Sequence, residues 1–353
     1  MNTKSWLLAG VVCAAAAFGA RSAQAAGCEP AGGAEFICGL NAPEDLIAVP
    51  HTDWVLVSTM GVGKSHIYAV SAKTHSVVAL SPADSAREQQ DKTRYGACPG
   101  PLPQSSFGSH GIDLRSTARG KGTIFAVNHG GRESIEVFEL DATGKTPRVT
   151  WVGCVVYPDH ASGNGVVGLP DGGFITSNFH DPKDADAFKK MGASQVTGNV
   201  LEWHPSSGWT TLPDSAASGP NGLVLSQDGK WLYVAGWPAQ EVVRFERTGN
   251  TWTKRDAIPT GILTDNLRWM KDGSLLAAGQ ASKMPDVFEC RPPGCYVGSG
   301  AVKIDPKTLK TTRLLTYAGN SSFEGGTTVL EVGNEYWIGS YKGDRVARVP
   351  MRR

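Results

Sequence analysis

Oxygen-bearing side chains recur at one point of a repeated sequence pattern. Asn164, Asn221 and the pair Asp265–Asn266 each come before a short apolar segment, a turn with Asp-Gly and a second apolar segment. Glu44 opens a related segment near the start of the chain. Carboxylate and amide oxygens without a thiolate are the donors that Ca²⁺ prefers, and Mg²⁺ or Mn²⁺ are less common choices. These five residues therefore predict a site for one calcium ion that would polarise a bound carbonyl group.

Two histidines occupy related positions in another copy of the pattern. His110 opens the segment HGIDL, and His129 follows the next apolar segment, FAVN. If the two segments pair as a hairpin, the imidazoles come close enough for one ring to orient the other and relay a proton. We therefore predict His110, assisted by His129, as the base that activates water. The other six histidines lack this placement and are interpreted as structural or solvent-facing, although His180 lies in residues 178–199, the second of two predicted lids: His51, His66, His75, His160, His180 and His204.

Short strands are the elements that would position these residues. The pattern occurs six times at intervals of roughly 45–65 residues, which is typical of β-propeller repeats, and its last copy, around Thr327, has no charged opening residue. Residues 221–256 contain a whole unit of four strands separated by turns. We predict an all-β, six-bladed β-propeller with four-stranded antiparallel blades and a central axial metal site. The innermost strands line the channel, so the opening residues would converge there.

The ends of the chain and two long loops complete this organisation. Residues 1–26 predict a signal peptide, with Lys4, an apolar run and a cleavage site at Ala23–Ala25. A retained N-terminal anchor is the alternative. Residues 27–353 are predicted to form a single propeller domain with insertions near 81–107 and 178–199. We interpret both insertions as lids over the site, because long loops in compact domains are commonly functional.

Composition limits the partners and the compartment. The formal net charge is +1 and no basic stripe is present, which argues against a nucleic-acid partner. No later segment is long enough for a transmembrane helix. Six cysteines would follow signal-peptide removal, an even number that suits the oxidising periplasm. Two local pairs leave a third, with other connectivities open: Cys28–Cys38, Cys290–Cys295 and Cys98–Cys154.

Several segments resemble calcium-dependent six-bladed propeller hydrolases of the paraoxonase/arylesterase type, whose relatives include gluconolactonase, regucalcin and strictosidine-synthase-like proteins. The segments are HGIDL, FAVNHGGRESIEVFEL, PNGLVLSQDGKWLYVAGWPAQEVVRFER and LTDNLRW. The second of them favours paraoxonase-like members. The resemblance implies hydrolysis of lactones or aryl esters. It also implies that the five oxygen donors are the ligands of the catalytic calcium and that His110 and His129 are the water-activating dyad.

The resemblance further implies a second, structural calcium with Asp45 as a ligand. At Gly165 the family has an aspartate that also binds this ion, so we expect a second ion to be weak or absent. The family's C-terminal cysteine is missing as well. We therefore expect the segment RVARVPM to close the ring by pairing with N-terminal residues.

Together these features predict an exported calcium-dependent hydrolase of small-molecule lactones, aryl esters or both. Two alternatives stay open. One is a sugar lactonase of the gluconolactonase type. The other is a non-catalytic propeller that binds a ligand or a protein, because propellers host many functions.

Overall fold

Six sheets, antiparallel except for one short parallel edge strand in the second, make up the fold in a computed structural model, which describes residues 27–81 and 87–351. The predicted all-β, six-bladed propeller with four-stranded antiparallel blades is confirmed. The predicted signal peptide lies outside the described residues.

The strands follow one another from the centre of each blade to its edge, with two exceptions: the first strand joins the last blade, and the sixth strand pairs in parallel at the outer edge of blade two. The first strand is β1 (Glu35–Cys38). Blade one contains β2 (Pro43–Ala48), β3 (Trp54–Thr59), β4 (Ile67–Ser71) and β5 (Val77–Ser81). Blade two contains β6 (Arg87–Glu88), β7 (Ser109–Ala118), β8 (Lys121–Asn128), β9 (Ser134–Asp141) and β10 (Arg148–Val156). Blade three contains β11 (Ser162–Gly168), β12 (Phe174–His180), β13 (Asn199–His204) and β14 (Gly208–Thr211).

The remaining blades have the same order. Blade four contains β15 (Pro220–Leu225), β16 (Trp231–Gly236), β17 (Glu241–Thr248) and β18 (Thr251–Pro259). Blade five contains β19 (Leu263–Trp269), β20 (Leu275–Gln280), β21 (Ser299–Ile304) and β22 (Thr311–Tyr317). Blade six contains β23 (Gly326–Val332), β24 (Glu335–Ser340) and β25 (Arg345–Pro350). Three short α-helices lie between strands: α1 (Lys92–Tyr95), α2 (Ala187–Gly192) and α3 (Met284–Glu289).

The two ends of the chain close the ring within blade six. Strand β1 pairs antiparallel with β25, from Glu35 opposite Arg348 to Cys38 opposite Arg345. The predicted closure by strand pairing is therefore confirmed.

Aromatic side chains fill the space between blades. Phe125 and Phe174 are fully buried with their ring centres 6.0 Å apart, which joins blades two and three. Tyr233 and Trp269 join blades four and five at 5.6 Å. Burial of one large apolar side chain contributes about 1.5–3 kcal/mol to the free energy of unfolding. These contacts hold the inner strands in fixed positions around the axis.

Three disulfides link the chain in the predicted pairs: Cys28–Cys38, Cys98–Cys154 and Cys290–Cys295. Among the described residues, no helix has the length and apolar character to cross a membrane.

Residues 87–95 of the first insertion pack against the outer strand of blade two and against blade three. Strand β6 pairs with β10, the outermost strand of the antiparallel part of blade two. The hydroxyl of Tyr95 donates to the carbonyl of Gly172 at 2.9 Å, in the turn at the far end of β11 from Asn164. The ring of Tyr95 stacks on Trp203 with 6.0 Å between centres. This part of the insertion therefore does not form the predicted lid.

Candidate active site

A register shift interrupts the innermost strand of every blade near its start. The shifts fall between Pro43 and Asp45, Ser109 and Ile112, Gly163 and Val166, Pro220 and Leu223, Thr264 and Leu267, and Gly326 and Val329. A β-bulge leaves residues unpaired and redirects their side chains. All the opening residues of the sequence pattern lie at these bulges. They are therefore inside the strands, whereas the pattern had suggested positions just before them.

Glycines next to these residues let the inner strands approach closely. A Cβ atom on Gly111 would lie 2.3 Å from the carbonyl oxygen of Asn164, and one on Gly165 would lie 2.8 Å from the Cα of Gly222. A side chain at either position would collide with the neighbouring strand. An aspartate at position 165 would therefore require the neighbouring strand to move.

The predicted metal ligands are all buried around the axis. The amide of Asn266 donates to Oε1 of Glu44 at 2.6 Å, which links blade five to blade one. The side chain of Asn221 in blade four forms a hydrogen bond with the carboxyl of Asp265. Asn164 reaches the same centre from blade three, where the backbone of Gly111 borders it. Residues that are far apart in sequence are thus brought together.

The electrostatics of this centre favour a bound cation. Burial, together with Asp45 and Asp265, raises the pKa of Glu44 well above its ordinary value. Burial and the charge of Asp45 raise the pKa of Asp265 to about 7. Oε2 of Glu44 and Oδ1 of Asn164 are buried without a hydrogen-bond partner within the described part of the chain. Unsatisfied buried oxygens are costly, and a hard divalent cation would satisfy them, so the residues fit such an ion.

Within residues 27–81 and 87–351, no three side chains of aspartate, glutamate, histidine or cysteine lie close enough together to bind a metal ion. The predicted site does not require such a cluster, because asparagines make up three of its five members. The metal site itself stays a prediction.

Asp45 points away from this centre towards an arginine. One carboxylate oxygen accepts from the Ile112 amide at 3.0 Å, and the other contacts the guanidinium of Arg268. Arg268 also donates to the carbonyls of Leu46 and Leu267, each at 2.7 Å. A cation of the chain itself therefore neutralises the residue predicted to bind a second metal ion.

The two predicted catalytic histidines are in direct contact. Nδ1 of His110 lies 2.9 Å from Nε2 of His129, and Nε2 of His110 lies 4.0 Å from Oε1 of Glu44. The hairpin of β7 and β8 brings the rings together, as the sequence predicted. His110 therefore lies between the predicted metal ligands and His129.

A carboxylate that was not predicted from the sequence, that of Glu133, contacts the far side of His129. Both oxygens of Glu133 approach Nδ1 of His129, at 3.1 and 2.9 Å. Burial and the neighbouring His129 lower the pKa of His110 to about 3. His110 is thus neutral near pH 7, with a lone pair available to accept a proton.

Two residues at the ends of second strands lie next to the metal-ligand centre, in blades four and five. Trp237 follows β16, and its indole donates to the side-chain oxygen of Gln280 at 2.7 Å. The Gln280 amide in turn donates to Asp265 at 2.7 Å. A chain of hydrogen bonds thus connects the metal-ligand centre to an aromatic side chain on the same face of the propeller.

Four aromatic residues on that face form what we call the aromatic rim: Phe179, Phe188, Trp237 and Phe288. Phe188 on α2 contacts Phe288 on α3, with ring centres 5.3 Å apart. Phe188 is 45% exposed and Phe288 40% exposed, whereas Trp237 is buried. The rim therefore presents an apolar surface to solvent. The second insertion contributes Phe179 and Phe188, and α3, which the sequence did not predict, contributes Phe288.

Comparisons with known proteins agree with this architecture. A family model described as SMP-30/Gluconolactonase/LRE-like region matches residues 63–280, more than half of the chain. No curated protein sequence is significantly similar to the chain.

Two solved structures illustrate the similarity of fold. A gluconolactonase from Xanthomonas campestris superimposes with a TM-score of 0.54 and 14% identity, over 90% of each chain. A luciferin-regenerating enzyme superimposes with a TM-score of 0.55 and 12% identity, over 89% of this chain and 92% of the other. At these identities the two structures show a common fold alone.

Proposed function

Because the chain belongs to the SMP-30/gluconolactonase/LRE-like family, we propose that it is an exported, calcium-dependent hydrolase of lactones or aryl esters. The observation that carries the proposal is the position of His110. Its ring lies between His129 and Glu44, beside buried oxygens that have no partner. A base and a group of hard oxygen donors thus face one small region, which is what hydrolysis of a polarised carbonyl requires.

Five side chains would hold the calcium ion: Glu44, Asn164, Asn221, Asp265 and Asn266. When bound, the ion supplies Lewis-acid polarisation of the substrate carbonyl. The pairing of Asp45 with Arg268 supports a single ion, since the carboxylate of Asp45 is already neutralised. Asp45 therefore serves the packing of the channel in this proposal.

His110 accepts the proton from the attacking water. Its Nδ1 faces His129, so Nε2 is the nitrogen directed towards the metal-ligand centre. The water oxygen bonds to the carbonyl carbon as its proton moves to Nε2. The bond to the leaving oxygen then breaks, and the same nitrogen returns the proton to that oxygen.

The aromatic rim bears on the choice between substrate classes. Two partly exposed phenylalanines on the site face offer apolar contact area, and such area stabilises an aryl or alkyl group more than a polyhydroxylated ring. An aryl ester or an apolar lactone is therefore our first choice. A sugar lactone is the alternative, which the gluconolactonase name of the family supports.

The disulfides support the exported location. Three cystines account for all six cysteines in the described part of the chain, and such bonds persist mainly in oxidising compartments.

Hydrolysis of a substrate panel tests the proposal. Phenyl acetate, an alkyl-substituted lactone and gluconolactone are assayed with calcium, with EDTA and after calcium is restored. We expect turnover of the first two, loss of turnover in EDTA and recovery on restoration. Turnover of gluconolactone alone would select the sugar lactonase. Absence of turnover with every substrate, together with tight binding of a ligand, would select the non-catalytic propeller.

A further inference from the structure

Glu133 lies at the outer end of the histidine pair. Its carboxylate oxygens are 3.1 and 2.9 Å from Nδ1 of His129, and the Ser162 hydroxyl donates to one of them at 3.1 Å. Its backbone carbonyl accepts from the amide of Tyr157 at 3.0 Å. The segment that carries Glu133 is thus fixed by the backbone, while the carboxylate is directed at the imidazole.

These contacts determine which nitrogen of each ring carries a proton. An ionised carboxylate only accepts hydrogen bonds, so Nδ1 of His129 must donate to Glu133. Nε2 of His129 then has a lone pair when the ring is neutral, and it accepts from Nδ1–H of His110. The remaining nitrogen of His110, Nε2, is left as the acceptor that faces Glu44. One carboxylate thereby sets the tautomers of two histidines.

The charge of Glu133 matters as well as its geometry. The side chain of His110 is only 15% exposed, so a positive charge retained there would be poorly solvated. Transfer of the Nδ1 proton of His110 to Nε2 of His129 moves the charge to a ring that contacts a carboxylate. The side chains of His129 and Glu133 are each 26% exposed, so the ion pair forms nearer to solvent.

We infer that Glu133 is the positioning residue of the histidine pair, which sets the tautomers of His129 and His110 and stabilises the positive charge after proton transfer. The sequence Glu133–His129–His110 is a relay that leads from solvent to the metal-ligand centre. Glu133 does not touch the substrate in this scheme and acts only through His129. The kinetic part of the inference rests on the proposed function, whereas the tautomer part does not.

Three variants separate geometry from charge. Glu133→Ala removes both, Glu133→Gln retains an acceptor oxygen without the charge, and Glu133→Asp retains the charge on a shorter side chain. The kcat of each is measured on the best substrate of the panel. We expect kcat to fall by roughly 10- to 100-fold in Glu133→Gln, less than the roughly 10²–10⁴-fold that a positioned general acid or base itself contributes, because Glu133 acts through His129. The loss should be greater in Glu133→Ala and smaller in Glu133→Asp, with KM changed less than kcat.

A spectroscopic measurement tests the tautomers without any assay. The ¹⁵N resonances of the histidine rings are recorded in the full chain and assigned with His110→Gln and His129→Gln. We expect Nδ1 of His129 to carry the proton in the wild type and both tautomers to be populated in Glu133→Ala. If the wild type hydrolyses no substrate, the proposed function is refuted, but the ¹⁵N measurement still tests the tautomers.

The matched control is Asp171→Asn. Asp171 also accepts from a histidine Nδ1, that of His204 at 2.6 Å, but it lies away from the site on blade three. We expect its kcat and the His129 resonances to equal those of the wild type. The inference is overturned if Glu133→Ala has wild-type kcat, or if His129 keeps a single Nδ1–H tautomer in that variant.

Discussion

Arg268 reaches across the channel from the inner strand of blade five to Asp45 on the inner strand of blade one. Its guanidinium also lies 3.3 Å from the carbonyl of Ile112 in blade two. Both charged side chains are largely buried, and the two residues are 223 positions apart in sequence. The contact therefore joins the inner strands of three blades next to Glu44 and Asn266, two of the predicted metal ligands.

Removal of this arginine should destabilise the whole ring. Arg268→Ala leaves the carboxylate of Asp45 buried without its partner, a change that usually costs about 3–5 kcal/mol in the free energy of unfolding. Arg268→Lys should cost less, although an ammonium group does not reproduce the planar fork of hydrogen bonds. Denaturant titration measures both values. The control is Arg255→Ala, whose exposed ion pair with Glu246 should contribute about 1 kcal/mol or less. Equal losses in Arg268→Ala and the control would contradict a cross-blade role.

Calcium titration should reveal one tight site. The proposed ligands come from four blades, so binding should also raise the unfolding temperature, since a ligand that binds only the folded state stabilises it. EDTA should lower that temperature and calcium should restore it. Asp265→Asn should weaken binding, because it removes one of the two carboxylates in the set. Two equally tight sites in calorimetry would contradict a single ion and would mean that another carboxylate or backbone carbonyls replace the aspartate missing at position 165.

Substitution of the proposed base should affect rate more than binding. His110→Gln should reduce kcat by about 10²–10⁴-fold, the usual contribution of a positioned general base. His129→Gln should cost less, because that ring receives the proton from His110 and does not face the metal-ligand centre. Calcium affinity should change little in either variant. A wild-type kcat in His110→Gln would refute the assignment of His110 as the general base. Asp265 or Glu44 would then be the next candidate to test.

The aromatic rim should influence apolar substrates selectively. Phe188→Ala and Phe288→Ala each remove contact area worth about 1–2 kcal/mol, which corresponds to a loss of about 5- to 30-fold in kcat/KM for an aryl ester. Turnover of gluconolactone, if measurable, should change little. Val156→Ala on the outer strand β10 is the control, since Val156 is also a partly exposed apolar residue. An equal effect of the rim variants on both substrates would argue against a role in selection.

His204 should make the stability of the fold depend on pH. Burial opposes protonation of its ring, but the carboxylates of Asp171 and Glu202, at 2.6 and 2.9 Å, outweigh that effect and raise the pKa above the ordinary value. The protonated ring is therefore favoured in the folded state. Its stabilising contribution is complete below the unfolded pKa of about 6.5 and is lost as the pH rises through the folded pKa. The difference in unfolding temperature between wild type and His204→Gln should be larger at pH 5.5 than at pH 8.5.

The repeated parts of the molecule were predictable from sequence, and the parts that occur once were not. The residues at the bulges could be found because a strand, a turn and a second strand follow each of them in the same order. The contact of His110 with His129 could be found because both belong to one hairpin. Local pattern was sufficient in both cases.

Other residues depended on contacts that no local pattern records. Arg268 stands between Leu267 and Trp269 in a strand, and only the closed ring shows that its side chain meets Asp45. Glu133 lies four positions after His129 in a loop, and its direction depends on the loop's backbone. Helix α3 and Phe288 were missed because the segment is short and contains or adjoins several prolines and glycines, which are typical of loops.

The pairing of β1 with β25 has a consequence for how the chain folds. Blade six is incomplete until residues 345–350 are available. The ring therefore closes through a contact between two segments that are about 310 residues apart in the sequence, near the two ends of the described chain. Contacts of such high sequence separation slow folding, because a long loop must be ordered before they form. A ribosome-bound or truncated chain that ends before β25 would leave both β1 and β24 with unpaired edges, which favours association with other chains. The six residues of β25 are thus needed to pair the edges of both β1 and β24 in blade six.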